Sequence, residues 1–186
     1  MTTHPALPGL AGRPGGGGGR ILDVGTGVAA LALVLAQEFP RAEVVGIDTL
    51  ERVLDLAREE LAAAGPGVAD RVSLRHLDVV DLTGQAAYDL AWLPAPFLSQ
   101  AVLTSAVPRL TDALRPGGRI VVGRNPAAPE PLRQAVAGWN SVRNGGNSYD
   151  TDRVVQALAA SGLAQAQRFP TVPGGPVLVA ARRSKD

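Results

Sequence analysis

Residues 20–30, RILDVGTGVAA, constrain the fold more than any other stretch of the chain. An apolar strand reaches Asp23, the backbone turns at Gly25 and Gly27, and an Ala/Leu/Val-rich helix follows. Strand, glycine turn and helix in that order form the first crossover of a doubly wound sheet, where nucleotide-type ligands bind. The acid before the first glycine narrows the choice. A carboxylate beside a pyrophosphate would be repelled, so Asp23 suits a ligand carrying an amine or another cation.

The pattern continues downstream. Ile21–Val24, Glu43–Ile47, Val72–Leu77, Tyr88–Leu93 and Arg119–Gly123 read as strands. Val28–Glu38 reads as a helix apolar nearly all round. Leu50, Val53, Leu54, Ala57 and Leu61 give an amphipathic helix that Thr49 is placed to cap. Ser99–Leu114 is helical, with Pro108 expected to kink or restart it. Pro116–Gly118 predicts a turn into the fifth strand. Leu132, Ala135, Val136 and Trp139 mark another helix, with Trp139 expected in the core. Asn140–Ser148 predicts a mobile polar loop, and Asp150 or Thr151 a cap for a helix over Arg153–Ala160. Ala164–Phe169 and Val177–Ala181, joined around residues 173–176, predict a hairpin. The expected fold is α/β and doubly wound. It has a mostly parallel seven-stranded sheet, a C-terminal antiparallel hairpin and helices on both faces. Residues 1–19, rich in Pro and Gly, are expected to form a flexible tail or linker, leaving residues 20–186 as the ligand-binding domain.

Composition excludes several chemistries. With no cysteine and only two histidines, neither thiol catalysis nor a Cys- or His-rich metal site is expected. A net charge of +1 and 4% aromatic residues give no basic stripe interleaved with aromatics, so no nucleic-acid partner is expected. No apolar run approaches the ~20 residues of a membrane span. A soluble cytoplasmic protein is the expectation.

Three acids fall at three successive strand ends: Asp23, Asp48 and Asp78. Gly25 and Gly27 let the backbone approach a ligand closely, and Thr26 offers a hydroxyl or backbone contact. Asp48, about twenty residues after the glycine turn, stands where an acid accepts both ribose hydroxyls. Asp78, beside Val79, suits a purine amino group. No unmistakable general base is present. His76 lies within a strand and reads as structural, His4 lies in the tail, and Tyr149 follows the polar loop.

The segments ILDVGTG, VVGIDTLERVLDLARE, VSLRHLDVVDL, YDLAWLPAPFL and LRPGGRIVVG, in this order, resemble the motifs of the class I S-adenosylmethionine-dependent methyltransferases. They cover roughly residues 20–124. Ala29 departs from a pattern in which many members carry a third glycine. The resemblance implies S-adenosylmethionine as cofactor, with Asp48 holding the ribose and Thr49 next to the adenine. Asp78 would contact the adenine amine, and Leu93 with the glycine turn would border the methionine moiety. Trp92–Phe97 lies where related enzymes place acceptor residues, and its apolar character suits a small, fairly hydrophobic methyl acceptor or simple packing. The implied activity is transfer of a methyl group to a small molecule by direct displacement. A non-catalytic cofactor-binding partner domain and a nicotinamide-dependent oxidoreductase are the alternatives. A homodimer mate or a missing N-terminal lid domain is a further expectation for the acceptor side.

Overall fold

The structure, a computed structural model, describes residues 18–126, 130–143, 145–147, 150–169 and 175–185. The expectations for residues 1–17, with His4, for Tyr149 and for the hairpin turn at Pro173 and Gly174 lie outside the described residues. Seven strands form one sheet: β1 (Arg20–Val24), β2 (Glu43–Asp48), β3 (Val72–His76), β4 (Tyr88–Pro94), β5 (Leu114–Arg124), β6 (Leu163–Phe169) and β7 (Val177–Arg183). Their order is β3-β2-β1-β4-β5-β7-β6. The first five run parallel, and β7 pairs antiparallel with both β5 and β6. The chain therefore winds outward through β2 and β3 and returns to the other side of β1. That reversal opens a crevice above the carboxyl ends of β1 and β4.

The helices are α1 (Ala30–Glu38), α2 (Glu51–Ala64), α3 (Pro66–Ala69), α4 (Gln100–Ala113), α5 (Pro131–Arg143) and α6 (Thr151–Ala160). Side-chain alternation along the strands divides the core into two layers. Leu22, Val24, Val45, Ile47, Leu93 and Val122 face α4 and α6, meeting Leu103, Leu110 and Leu158. Ile21, Val44, Val72 and Val121 belong to the opposite layer, which takes Ala32 and Ala36 of α1 and Ala57 of α2. Among the described residues, no helix is long and apolar enough to cross a membrane.

Five local expectations change. Thr49 does not cap α2; Leu50 occupies that position without a side-chain cap, and Asp48 Oδ1 accepts the Leu50 amide at 3.0 Å instead. Helix α4 runs unbroken through Pro108, an exposed position, so the carbonyl that proline leaves unpaired faces water. Pro116–Gly118 belongs to β5, whose pairing with β4 shifts register between Tyr88 and Leu90 and absorbs the extra residues. Helix α5 extends through Arg143, so the polar loop begins later than the sequence suggests. Finally, Trp139 is 60% exposed, with Leu132 at 76% and Val142 at 63%. The apolar stripe of α5 thus faces outward and contributes nothing to the core.

Candidate functional site

The turn after β1 is fixed by two ties to the neighbouring strand β2 and one back to β1. The Thr26 amide donates to the Ile47 carbonyl at 3.0 Å, the Gly27 amide to Asp48 Oδ2 at 3.0 Å, and the Thr26 hydroxyl to Asp23 Oδ2 at 2.8 Å. Gly25, Gly27 and Ala29 all have left-handed backbone, with φ of 66°, 58° and 64°. The first two conformations explain the glycines. The third explains why a glycine is also at home in the position that Ala29 holds.

Above this turn lies a cavity of about 550 Å³, within the usual range of small-molecule sites. Gly25 and Gly27 of the turn line it, together with Asp48, Thr49, Asp78 and Val79 from the ends of β2 and β3. A Cβ on Gly27 would meet nothing within 4 Å, so a side chain there would stand in the open cavity; one on Gly25 would meet Pro94 Cγ at 3.3 Å. Asp78 accepts the Val80 amide at 3.1 Å, capping a short 3-10 turn over Val79–Asp81. Both cavity acids thus hold backbone amides as well as lining the cavity, and each keeps further lone pairs for a ligand.

Three residues singled out in the sequence lie behind the lining. Asp23 is 1% exposed, Thr26 7% and Leu93 0%, and none lines the cavity. Burial pushes the Asp23 carboxyl up to about 6; the Thr26 hydroxyl bond opposes this and the Asp48 carboxylate adds to it. His76 is exposed at the end of β3, where its ring reaches the Thr49 carbonyl at 3.0 Å and Glu51 at 3.2 Å. Its place within the strand predicted a position in a packing layer, whereas the side chain is in contact with solvent and does not line the cavity.

The far wall takes Pro94 and Phe97 from the Trp92–Phe97 stretch, whose apolar character suited an acceptor or simple packing; Leu98, Ser99, Val102 and Gly145, which join them, were missed by sequence reasoning. Ser99 caps α4 by accepting the Val102 amide at 3.3 Å, which places the first turn of that helix at the rim. A Ser before an amphipathic run was the available signal. Leu50 and Val53, read as core positions of α2, also line the cavity. Among the described residues, no group of His, Cys, Asp and Glu is arranged to hold a metal ion.

The family described as "Methyltransferase domain" matches residues 21–118. A demethylmenaquinone methyltransferase of Thermus thermophilus is 36% identical over 115 residues, which are 60% of this chain and 49% of that protein. A trans-aconitate 2-methyltransferase of Methylobacterium radiotolerans is 32% identical over 173 residues, 92% of this chain and 56% of the other. A tRNA1(Val) (adenine(37)-N6)-methyltransferase of Vibrio campbellii is 30% identical over 100 residues, 52% of this chain and 41% of the other. The chain thus spans about half the length of the first curated relatives it matches. Among solved structures, an O-methyltransferase family 2 protein of Planctomyces limnophilus in complex with apigenin superposes with a TM-score of 0.79 at 22% identity. That match covers 96% of this chain and 55% of the other, and at this identity it speaks for the fold alone.

Proposed function

The chain belongs to the class I S-adenosylmethionine-dependent methyltransferases, and from that premise we propose that its cavity binds S-adenosylmethionine for methyl transfer to a small, largely apolar acceptor. The observation that carries the reading is the convergence of Asp48, Asp78 and the Gly25–Gly27 turn on one cavity whose far wall is apolar. The cradle fits such a ligand: Gly27 faces open space, and two carboxylates await hydroxyl and amino donors. Asp48 would hold the ribose hydroxyls, Thr49 and Val79 would flank the adenine, and Asp78 would accept from its amine. The buried Asp23 would act through the turn, its charge favouring a cationic methionine end. Thr26 and Leu93 would shape the turn and the strand end from behind.

The cofactor supplies an electrophilic methyl group on a sulfonium. The protein's work is alignment and exclusion of water. Pro94, Phe97, Leu98 and Val102 offer the acceptor a dry surface, and the described lining holds no histidine or lysine to take a proton. The reading therefore favours an acceptor atom that is already nucleophilic when bound. Some relatives are named for tRNA, but the apolar end, the near-neutral charge and the scarcity of aromatics favour a small molecule over nucleic acid. A cytoplasmic location suits a chain without cysteines, which needs no oxidising compartment.

Calorimetric titration with S-adenosylhomocysteine tests the cofactor half, and methyl transfer across an acceptor panel tests the other. Binding without turnover on any acceptor would favour a non-catalytic partner domain. NAD outcompeting S-adenosylhomocysteine would overturn the proposal.

A further inference from the structure

None of the thirteen residues of α5 is buried, although the helix is amphipathic. Leu132, Ala135, Val136, Trp139 and Val142 fall within an arc of about 120° at the helical repeat, and all five are exposed. The half-buried side turned toward the domain includes Ala137, Gly138 and Ser141, which are small. The helix thus rests on the protein through small residues and shows its larger apolar side chains to solvent. That reverses the usual placing of an amphipathic helix.

The chemistry of this face selects what covers it. Helix α5 contains no carboxylate. The one cation on the apolar arc, Arg143, stacks on the Trp139 ring at 5.1 Å. Tryptophan and arginine together are the residues that protein interfaces favour at their centres. A lipid surface holds an amphipathic helix through cations on its polar side. Here that side offers Arg133, already in an ion pair with Glu130 at 2.9 Å. A second copy needs no such charge, and at a net charge of +1 two copies scarcely repel one another.

The face is also complementary to itself. Two such helices, antiparallel about a twofold axis level with Ala137, set Trp139 against the partner's Ala135, a large ring over a methyl group. The same register sets Leu132 against the partner's Val142. Two faces of this size together hide roughly 1,000 Å², the lower end of specific interfaces. Association of that extent is reversible and yields to dilution. We propose that the outward face of α5 is the docking surface for a second copy of this chain, in an antiparallel helix pair centred on Trp139 and Ala135. It stands whatever the large cavity binds.

Sedimentation velocity on the full chain tests it. The average mass should rise from one chain toward two between about 1 µM and 1 mM, and at the dilute end Trp139 stays open to solvent. Trp139→Glu should leave a monomer over the whole range. A thiol placed by Val136→Cys, the sole cysteine in that variant, lies next to its symmetry mate. A short bismaleimide should therefore link it at high concentration, and should not link Glu60→Cys on the exposed side of α2. This second measurement leaves Trp139 in place, so an unstable Trp139 variant does not decide the matter. A monomer at every concentration, a dimer that survives Trp139→Glu, or equal linking at the two thiols overturns the proposal. So does a monomer whose Trp139 is shielded by phosphatidylglycerol vesicles, which would give the face to a lipid surface.

Discussion

Asp48 at the end of β2 accepts the amide of Gly27 at 3.0 Å, across the mouth of the turn that follows β1. One carboxylate therefore sets the shape of the turn and lines the cavity above it. Asp48→Ala removes both functions. The expected loss of S-adenosylhomocysteine affinity is about 2–4 kcal/mol, from two charge-assisted hydrogen bonds in a part-desolvated site. Calorimetry measures it directly, and wild-type affinity in the variant would remove Asp48 from the site.

Asp23 makes stability depend on pH in a direction opposite to that of a salt-bridged acid. Its folded pKa of about 6 lies above the ordinary 3.8, so the folded protein holds this proton more tightly than the unfolded chain does. The stability associated with the protonated form is present below about pH 4 and is lost as pH rises through about 6. The difference corresponds to about 3 kcal/mol by neutral pH. Urea denaturation across that window should show the fall, Asp23→Asn should flatten it, and a bound cationic ligand should counter it. Equal pH slopes in the wild type and Asp23→Asn would contradict the assignment.

At Ala29 a glycine should be nearly free of penalty. The residue has left-handed backbone, with φ of 64°, and a fully buried methyl group. Relief of about 1–2 kcal/mol of backbone strain offsets the loss of about 0.8 kcal/mol of burial. Ala29→Gly should therefore shift unfolding by no more than about 1 kcal/mol. A loss of several kcal/mol in chemical denaturation would show that the methyl group, and not the backbone, decides this position.

Trp139→Ser should likewise cost little, under about 1 kcal/mol, against the about 3–5 kcal/mol lost when a buried tryptophan is truncated. The ring is 60% exposed and is stacked by Arg143 at 5.1 Å. Acrylamide should quench its fluorescence readily, whereas Trp92, part-buried where the crowded Gly123 leaves it room, should resist. Equal protection of the two rings would refute the outward placement of α5.

The sheet was legible in the sequence because strand parity and strand-end chemistry coincide. Apolar runs closed by Asp48 and Asp78, and the glycine turn after Asp23, placed β1 to β3 and their order of use. The other half was less legible, for physical reasons. The period of Leu132, Val136 and Trp139 shows which residues share a face of α5 but not what covers that face. Pro116–Gly118 carries turn chemistry that a register shift absorbs within a strand. Asp23 has the residue type of a ligand-binding acid, and only the three-dimensional packing reveals that it stands behind the cavity surface. The apolar wall from Pro94 to Val102 is assembled from a strand end and the first turn of a helix, and no local pattern records that they meet.

A Cβ added to Gly46 would come within 2.6 Å of the Thr26 hydroxyl oxygen. The threonine is seated over the second strand like a tongue in a groove, so the loop above β1 cannot swing without carrying its neighbour along. Repeated exchange of spent for fresh ligand would then leave this corner of the molecule unaltered.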